Sequence, residues 1–164
     1  MKHRIANPNL PQLLLKAREQ LMSHFRPILS HFGLTEQQWR VMRVLDEHGQ
    51  LEPWEICEMC QILSPSMTGV LARMEEARLV LRARMPEDQR RLIVRLAPEG
   101  ERLLNEMAPY IDEQYRHIEQ TYGKRLFEDL FKPLQAFVEV DDKSTPQVVL
   151  PEKRVAQARR STKK

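Results

Sequence analysis

The sequence predicts a mainly α-helical fold that contains one small β-hairpin. Apolar residues recur at three- and four-residue spacing through most of the chain, as on one face of a helix, over 10–32, 35–48 and 98–140. Two short segments, 79–85 and 92–96, instead alternate apolar and polar residues with the period of a strand. Turn-forming residues join these two segments, so we expect them to pair as a hairpin.

The first two helices have recognisable ends. A long amphipathic helix over 10–32 is expected to bend at Pro27, because proline removes a backbone donor. Gly33 supplies a C-terminal stop. Thr35 is a favourable N-cap for the second helix, with Gln38 at the capping-box position. The inward positions of that helix are predicted to be Trp39, Met42 and Leu45.

Two short helices with a tight connection follow. The first is predicted from about Pro53 to Cys60, since proline is favourable in a first turn. The second has Ser64 as its predicted N-cap and Pro65 at the first helical position, and it runs to about Ala77. Such a pair, followed directly by a hairpin, predicts a winged helix-turn-helix.

The hairpin is predicted to carry an arginine-lined face. The alternation sets Leu81, Ala83 and Met85 against Arg82 and Arg84, and Leu92, Val94 and Leu96 against Ile93 and Arg95. Between the strands, 86–89 supply the turn, and the tip ends in an Arg-Arg pair at 90–91.

Positive charge is concentrated in two places. The whole chain has a net charge of +3. The segment from Lys143 to the end holds seven Lys or Arg and one Glu, so it carries +6 and the remaining residues carry −3. Within the acidic remainder, residues 78–95 hold six arginines against two acidic residues. This local excess, rather than the total charge, favours a nucleic-acid surface.

The composition indicates one globular domain with an arm. The 164 residues are 41% hydrophobic and 30% charged. No apolar run approaches the ~18 residues that cross a bilayer. The N-terminus lacks the apolar stretch of a secretory signal, so we expect a cytoplasmic, nucleoid-associated protein. The expected organisation is an N-terminal arm and dimerisation helix over 1–34, a winged helix-turn-helix over 35–97, C-terminal dimerisation helices over 98–142 and a flexible basic tail over 143–164.

The long helices before and after the winged helix predict self-association. Their apolar faces are more extensive than one subunit can cover, and burial in a homodimer explains them. A purely structural helical protein would also explain the helices. It would not explain an arginine-lined hairpin after a helix-turn-helix.

Three segments carry a family resemblance: LTEQQWRVMRVL, LSPSMTGVLARMEEARLV and RMPEDQRRLIVRLAPEGERL. They are similar to the multiple-antibiotic-resistance-regulator (MarR) family of winged-helix repressors over about residues 10–140. The D-x-R wing followed by L-x-x-E-G is the most specific mark. LLLKAREQLMSHFRPIL with TEQQWRVMRVL also resembles the branch that represses homoprotocatechuate and hydroxyphenylacetate degradation operons. The resemblance implies a homodimeric repressor of a double-stranded DNA operator, released by a small aromatic carboxylate such as 4-hydroxyphenylacetate or homoprotocatechuate.

The predicted DNA contacts lie on the second short helix and on the wing. Its first turns offer amides, hydroxyls and one cation to phosphate and base edges, from Ser64, Ser66, Met67, Thr68 and Arg73. The wing candidates are Arg84, Asp88, Arg90 and Arg91. The resemblance places the minor-groove arginine at Arg90, whose guanidinium Asp88 can hold, and Arg91 is assigned to phosphate. Simple capping by Ser64 and a solvated turn at the tip remain alternatives.

An aromatic acid requires an apolar slot with one cation. Trp39 and Arg43 lie four residues apart on one helical face. By the resemblance, the ligand residues are Asn9, Met22, Phe25, Leu29, Glu36, Trp39, Arg43 and Tyr115. Glu36 and His24 are candidate hydrogen-bond partners for a phenol. Arg43 would bind the carboxylate, Trp39 and Phe25 would sandwich the ring, and Asn9 would come from the other subunit. The alternatives are core packing of the aromatic residues and an ion pair of Arg43 with Glu47.

Cys57 and Cys60 form a C-x-x-C pair, which leaves a redox switch as an alternative means of control, alongside a different inducer. Two further ligands at zinc spacing are not apparent, so no metal or cofactor is predicted. The sequence has no Gly-rich phosphate loop and no HExxH motif, and an enzyme is not expected.

Overall fold

Six helices and a three-stranded sheet make up the described chain, residues 5–85, 88–141 and 144–150 of the computed structural model. In chain order they are α1 (Leu10–His31), α2 (Glu36–His48), β1 (Gln50–Leu51), α3 (Pro53–Cys60), α4 (Ser64–Glu76), β2 (Val80–Arg84), β3 (Leu92–Leu96), α5 (Pro98–Tyr122) and α6 (Lys124–Glu139). The predicted mainly α fold with a hairpin wing is confirmed. The chain divides into two compact units, Met1–Gly123 and Lys124–Lys164. The predicted basic tail lies outside the described residues except for 144–150.

Capping explains where α2 begins and ends. The backbone N–H of Gln38 donates to the Thr35 hydroxyl at 3.2 Å, and the Thr35 backbone N–H donates to the Gln38 side chain at 2.9 Å. Both bonds of a capping box are therefore present, as predicted. At the other end, Gly49 has a φ of 78°, a conformation that glycine adopts without strain.

The start of α4 differs from the prediction by one residue. Leu63 is the N-cap, because its backbone is extended and its carbonyl accepts from the N–H groups of Ser66 at 2.9 Å and Met67 at 3.0 Å. Ser64 is therefore the first helical residue, and the side chain of the N-cap residue Leu63 makes no capping hydrogen bond. The predicted capping role of Ser64 is wrong, and its hydroxyl is not committed to that bond.

The sheet has the strand order β1-β3-β2, and both pairings are antiparallel. The hairpin of β2 and β3 lies where the sequence predicts it; the turn residues 86–87 lie outside the described residues. The short strand β1 was not predicted. It pairs Gln50 with Arg95 and Leu51 with Val94, and two residues are too few to show a strand period.

The faces of β2 are the reverse of the prediction. Val80 is buried and Leu81 is 39% exposed, although the sequence pattern placed Leu81 and Ala83 together on the apolar face. Arg82 pairs across the hairpin with Val94, which is buried, and Arg95 pairs with Leu81 on the opposite face. Directly paired residues share a face, so the arginines do not line a single face.

The hydrophobic core joins the helix-turn-helix to the sheet. Its least exposed side chains come from α2, α3, α4, both hairpin strands and α5: Val41, Met42, Leu45, Ile56, Met67, Val70, Met74, Val80, Val94 and Met107. Helix α4 therefore rests on the core along one stripe of its surface.

An ion pair connects α4 to the wing. Arg82 on β2 donates from Nε to the Glu75 carboxylate at 2.8 Å, and one of its terminal nitrogens also donates to the same oxygen. The Arg82 guanidinium holds the pKa of Glu75 below its usual range. The contact fixes the base of the hairpin against the end of α4.

Loss of this ion pair should give a pH-dependent loss of stability. The Glu75 carboxyl has a lowered pKa in the folded state, so its contribution is complete above the unfolded pKa of about 4.3 and disappears as pH falls through the folded pKa. Glu75→Gln should therefore lower the melting temperature at pH 7 and converge on the wild type in acid. Glu76→Gln, at the exposed neighbouring residue, is the control. A difference between Glu75→Gln and wild type that persists unchanged at low pH would contradict this assignment.

Gly100 is required by packing. A Cβ at this position would lie 2.2 Å from the Leu79 carbonyl oxygen, a backbone atom that cannot move aside alone. Gly100→Ala should therefore lower the free energy of unfolding by about 2 kcal/mol or more. Urea denaturation measures this, with Asn105→Ala at an exposed position of the same helix as the control. Equal stability of Gly100→Ala and wild type would show that the two elements do not approach so closely.

Candidate nucleic-acid interface and ligand site

Helix α4 has one buried and one exposed side. Met67, Val70, Leu71 and Met74 are buried. The exposed side chains include Pro65, Thr68, Ala72 and Arg73. Met67 was predicted to contact DNA, and this is wrong: it is 1% exposed and belongs to the core. Its neighbours Ser66 and Thr68 are polar and exposed. For this reason the sequence does not readily show that Met67 belongs to the buried three- and four-residue spacing of α4.

The exposed side of α4 presents small polar groups and one cation. Ser64, Ser66 and Thr68 are exposed in the first turns, where helix amides can meet phosphate. The Thr68 hydroxyl is 3.4 Å from the Ser64 carbonyl. Arg73 is exposed, and among the described residues its guanidinium makes no hydrogen bond or ion pair.

The wing tip is shaped by Asp88. Its side chain accepts from the backbone N–H of Arg90 at 2.9 Å, and its carbonyl accepts from the backbone N–H of Arg91 at 3.0 Å. The predicted contact between Asp88 and the Arg90 guanidinium is not formed. An aspartate that bonds to the N–H two residues later stabilises a turn, and this is the role that the geometry gives Asp88.

The three candidate arginines of the wing have different surroundings. Arg91 donates to the Glu52 carboxylate from Nε at 2.9 Å, which raises the pKa of Arg91. Arg84 donates to the carbonyl of Gln89 at 2.5 Å. In the part of the chain that the structure describes, only the Arg90 guanidinium among these three has no partner. Arg90 is therefore the wing cation most available to an external anion.

The candidate ligand residues form two close pairs. The rings of Phe25 on α1 and Tyr115 on α5 have centroids 4.8 Å apart. The Arg43 guanidinium lies over the Trp39 ring, 5.7 Å from its centroid. Leu29 is buried beside Phe25 on α1, and Met22 packs partly against the core. The structure thus shows both an apolar aromatic cluster and an arginine on an aromatic ring.

Other candidate ligand residues already have partners. The Glu36 carboxylate accepts from Arg18 at 3.0 Å and from Arg26 at 2.6 Å, and the Arg26 bond in particular lowers the pKa of Glu36. Asn9 caps α1 by accepting from the backbone N–H of Gln12 at 3.1 Å.

Two further candidate ligand residues, His24 and Arg43, also contact other side chains. The His24 ring packs edge-on against Tyr122, with centroids 6.3 Å apart. Arg43 also pairs with Glu47 at 3.0 Å, the contact that the sequence left open as an alternative role.

Arg40 was not identified from the sequence. Its Nη1 donates to the Cys60 carbonyl at 2.5 Å, at the end of α3, and its Nε is buried without a hydrogen-bond partner in the described structure. The bond ties α2 to the turn before α4. Twenty residues separate the two partners, and no local pattern reveals such a contact.

The two cysteines lie on one turn of α3 as free thiols, and burial raises the pKa of Cys60 to about 11. A thiol with a raised pKa is a poor nucleophile, which disfavours a redox role for Cys60. Among the described residues, no cluster of three or more His, Cys, Asp or Glu could hold a metal ion. No described helix has the length and apolar character to span a bilayer.

A cavity of about 320 Å³ lies at the end of α2, β3 and the start of α5. Its polar lining comes from Asp46, Arg95, Glu101 and Asn105, all of which are exposed. None of the predicted ligand residues lines it.

Known proteins resemble this chain along most of its length. The MarR family model matches residues 34–92. The HTH-type transcriptional regulator FarR of Neisseria gonorrhoeae is 44% identical over 124 residues, which cover 74% of this chain and 85% of FarR. The homoprotocatechuate degradative operon repressor of Escherichia coli is 42% identical over 125 residues, which cover 76% of this chain and 84% of that repressor.

A solved structure agrees with these relatives. The crystal structure of NadR in complex with 4-hydroxyphenylacetate matches with a TM-score of 0.76 and 38% identity, and the match covers 86% of this chain and all of NadR. Sequence identity and fold therefore lead to the same assignment. The chain belongs to the MarR family of winged-helix transcription regulators.

Proposed function

We propose that the chain is a homodimeric transcriptional repressor that binds a pseudo-palindromic DNA operator and is released by a small aromatic carboxylate. The observation that carries the proposal is that Arg73 on α4 and Arg90 on the wing are both exposed without an internal partner among the described residues. Phosphate and base edges are the groups that such cations bind. The proposed DNA contacts are Ser64, Ser66, Thr68, Arg73, Arg84, Arg90 and Arg91.

We further propose that 35–97 form the DNA-binding region and that 1–34 and 98–142 form the dimer interface. Exposed apolar side chains on the flanking helices support this assignment: Leu10, Leu13 and Leu15 on α1, and Leu126, Leu130, Phe131 and Phe137 on α6. Such side chains are expected to be buried between subunits. A two-fold dimer would present two recognition helices to half-sites about one helical turn apart. The basic segment 143–164 would add nonspecific attraction to DNA.

The proposed effector is an aromatic acid such as 4-hydroxyphenylacetate or homoprotocatechuate. The operon named for the Escherichia coli relative and the ligand in the NadR structure support this chemistry. Arg43 would bind the carboxylate beside Trp39, and Phe25 and Tyr115 would meet the ring. The remaining candidates for this site are Asn9, Met22, His24, Leu29 and Glu36. We propose a cytoplasmic, nucleoid-associated regulator without enzymatic activity.

Removal of the wing cation should weaken specific binding. The test uses a DNA duplex that the wild-type protein selects from a random library. Arg90→Ala should lower affinity for this duplex by about tenfold, which corresponds to ~1.4 kcal/mol. The reason is that an arginine is strongly attracted to a narrow minor groove. Circular dichroism should stay unchanged, since the side chain has no described partner. Arg90→Lys is the control for charge, because it keeps the positive charge at the same position. Equal affinity of Arg90→Ala and wild type would remove the wing from the mechanism.

Ligand binding should stabilise the protein and release DNA. A hundredfold excess of 4-hydroxyphenylacetate over its Kd should stabilise the folded state by about 2.7 kcal/mol. Arg43→Gln should abolish both the thermal shift and the release of DNA. Glu47→Gln is the matched control, because it breaks the Arg43 ion pair and keeps the cation. If Glu47→Gln also abolishes the thermal shift and the release of DNA, Arg43 has only a structural role through its ion pair. If the wild-type protein shows no thermal shift with 4-hydroxyphenylacetate, the proposed effector is wrong.

A further inference from the structure

Gly69 is located in the middle of α4, where glycine is unfavourable for a helix. Its φ is not in the left-handed region, in contrast to Gly33, Gly49 and Gly123. Backbone conformation therefore does not require glycine at this position.

Core packing does not require this glycine either. A Cβ on Gly69 would meet one described atom within 4 Å, Nη1 of Arg73 at 3.3 Å. At Gly100, by contrast, the Cβ would meet fixed backbone at 2.2 Å. The neighbour of Gly69 is the far end of a flexible side chain, so the fold can accept alanine.

The arrangement of Arg73 follows from helix geometry. Gly69 is half-buried and Arg73, one turn later on α4, is exposed; a helical side chain leans over the turn that precedes it. The Arg73 guanidinium consequently lies against bare backbone at Gly69. Among the described residues, no acidic group holds it.

We propose that Gly69 is a specificity-determining positioning residue: the missing side chain lets the Arg73 guanidinium lie close to the α4 backbone, in the orientation that binds a base edge. This inference rests on the proposed DNA-binding function. A bidentate contact from arginine to the O6 and N7 atoms of guanine requires alignment of the planar fork with the base. A methyl group at residue 69 displaces the fork by a few tenths of an ångström.

Gly69→Ala tests the proposal because stability and specificity should change in opposite directions. Alanine favours the helix, so the melting temperature should rise by about 2–4 °C. Affinity for the duplex selected by the wild-type protein should fall about tenfold, while affinity for a scrambled duplex of equal length should change less than about twofold. These affinities are measured by fluorescence anisotropy. A purely structural glycine would give a loss of both stability and affinity, the result expected for Gly100→Ala.

A double-mutant cycle tests whether Gly69 acts through Arg73. Arg73→Ala should lose affinity for the selected duplex, and Gly69→Ala should then add little to that loss. Arg73→Lys keeps the charge but loses the planar fork, and it should also lose discrimination between the two duplexes.

Three results would overturn the proposal. The first is that Gly69→Ala binds the selected duplex as tightly as wild type. The second is that the effects of the two substitutions add fully, so that the glycine acts independently of Arg73. The third is that Gly69→Ala destabilises the protein. Failure of the proposed DNA-binding function can be distinguished from failure of this inference about Gly69. In the former case, the wild-type protein would enrich no sequence from a random DNA library.

Discussion

The contact between α4 and the core determines which side chains are available to a partner. Met67, Val70, Leu71 and Met74 lie at three- and four-residue spacing and are all buried. Burial of each such side chain contributes about 1.5–3 kcal/mol, so turning the helix about its axis would expose several of them at a high cost. The outward position of Thr68 and Arg73 is therefore fixed by hydrophobic packing.

The wing depends on the same helix through polar contacts. Arg82 binds Glu75 at the end of α4, and Arg91 binds Glu52, which precedes α3. Both pairs are partly exposed, so each stabilises the fold only modestly. They also orient the hairpin against the helix-turn-helix and leave Arg90 at the tip without a described partner. Arg40 has a similar role, since it ties α2 to the last turn of α3.

Sequence periodicity and capping residues predict most of the helical structure. The Thr35–Gln38 capping box is local, and both residues are visible in the sequence. The phase of β2 was not predictable, because residues 79–81 are all apolar and either set of alternating positions can face the core. Met67 was assigned to the interface for a related reason, since its polar neighbours obscure a buried helical position.

Long-range contacts account for most features of the candidate site that could not be predicted from the sequence. Arg91 and Glu52 are 39 residues apart, and their pairing changes which wing arginine is available. The role of Asp88 in bonding the Arg90 backbone depends on the conformation of the turn rather than on residue spacing alone. Gly69 has no distinguishing sequence pattern, and only the position of the Arg73 guanidinium gives it significance.

We propose that α4 contacts the major groove of DNA and that the wing tip contacts the minor groove. Methylation interference on the duplex selected by the wild-type protein tests it directly, because dimethyl sulfate modifies guanine N7 in the major groove and adenine N3 in the minor groove. We predict interference at guanine N7 in two segments about one helical turn apart, and at adenine N3 in the adjoining minor groove. Interference confined to one groove, or none at either position, would contradict this placement.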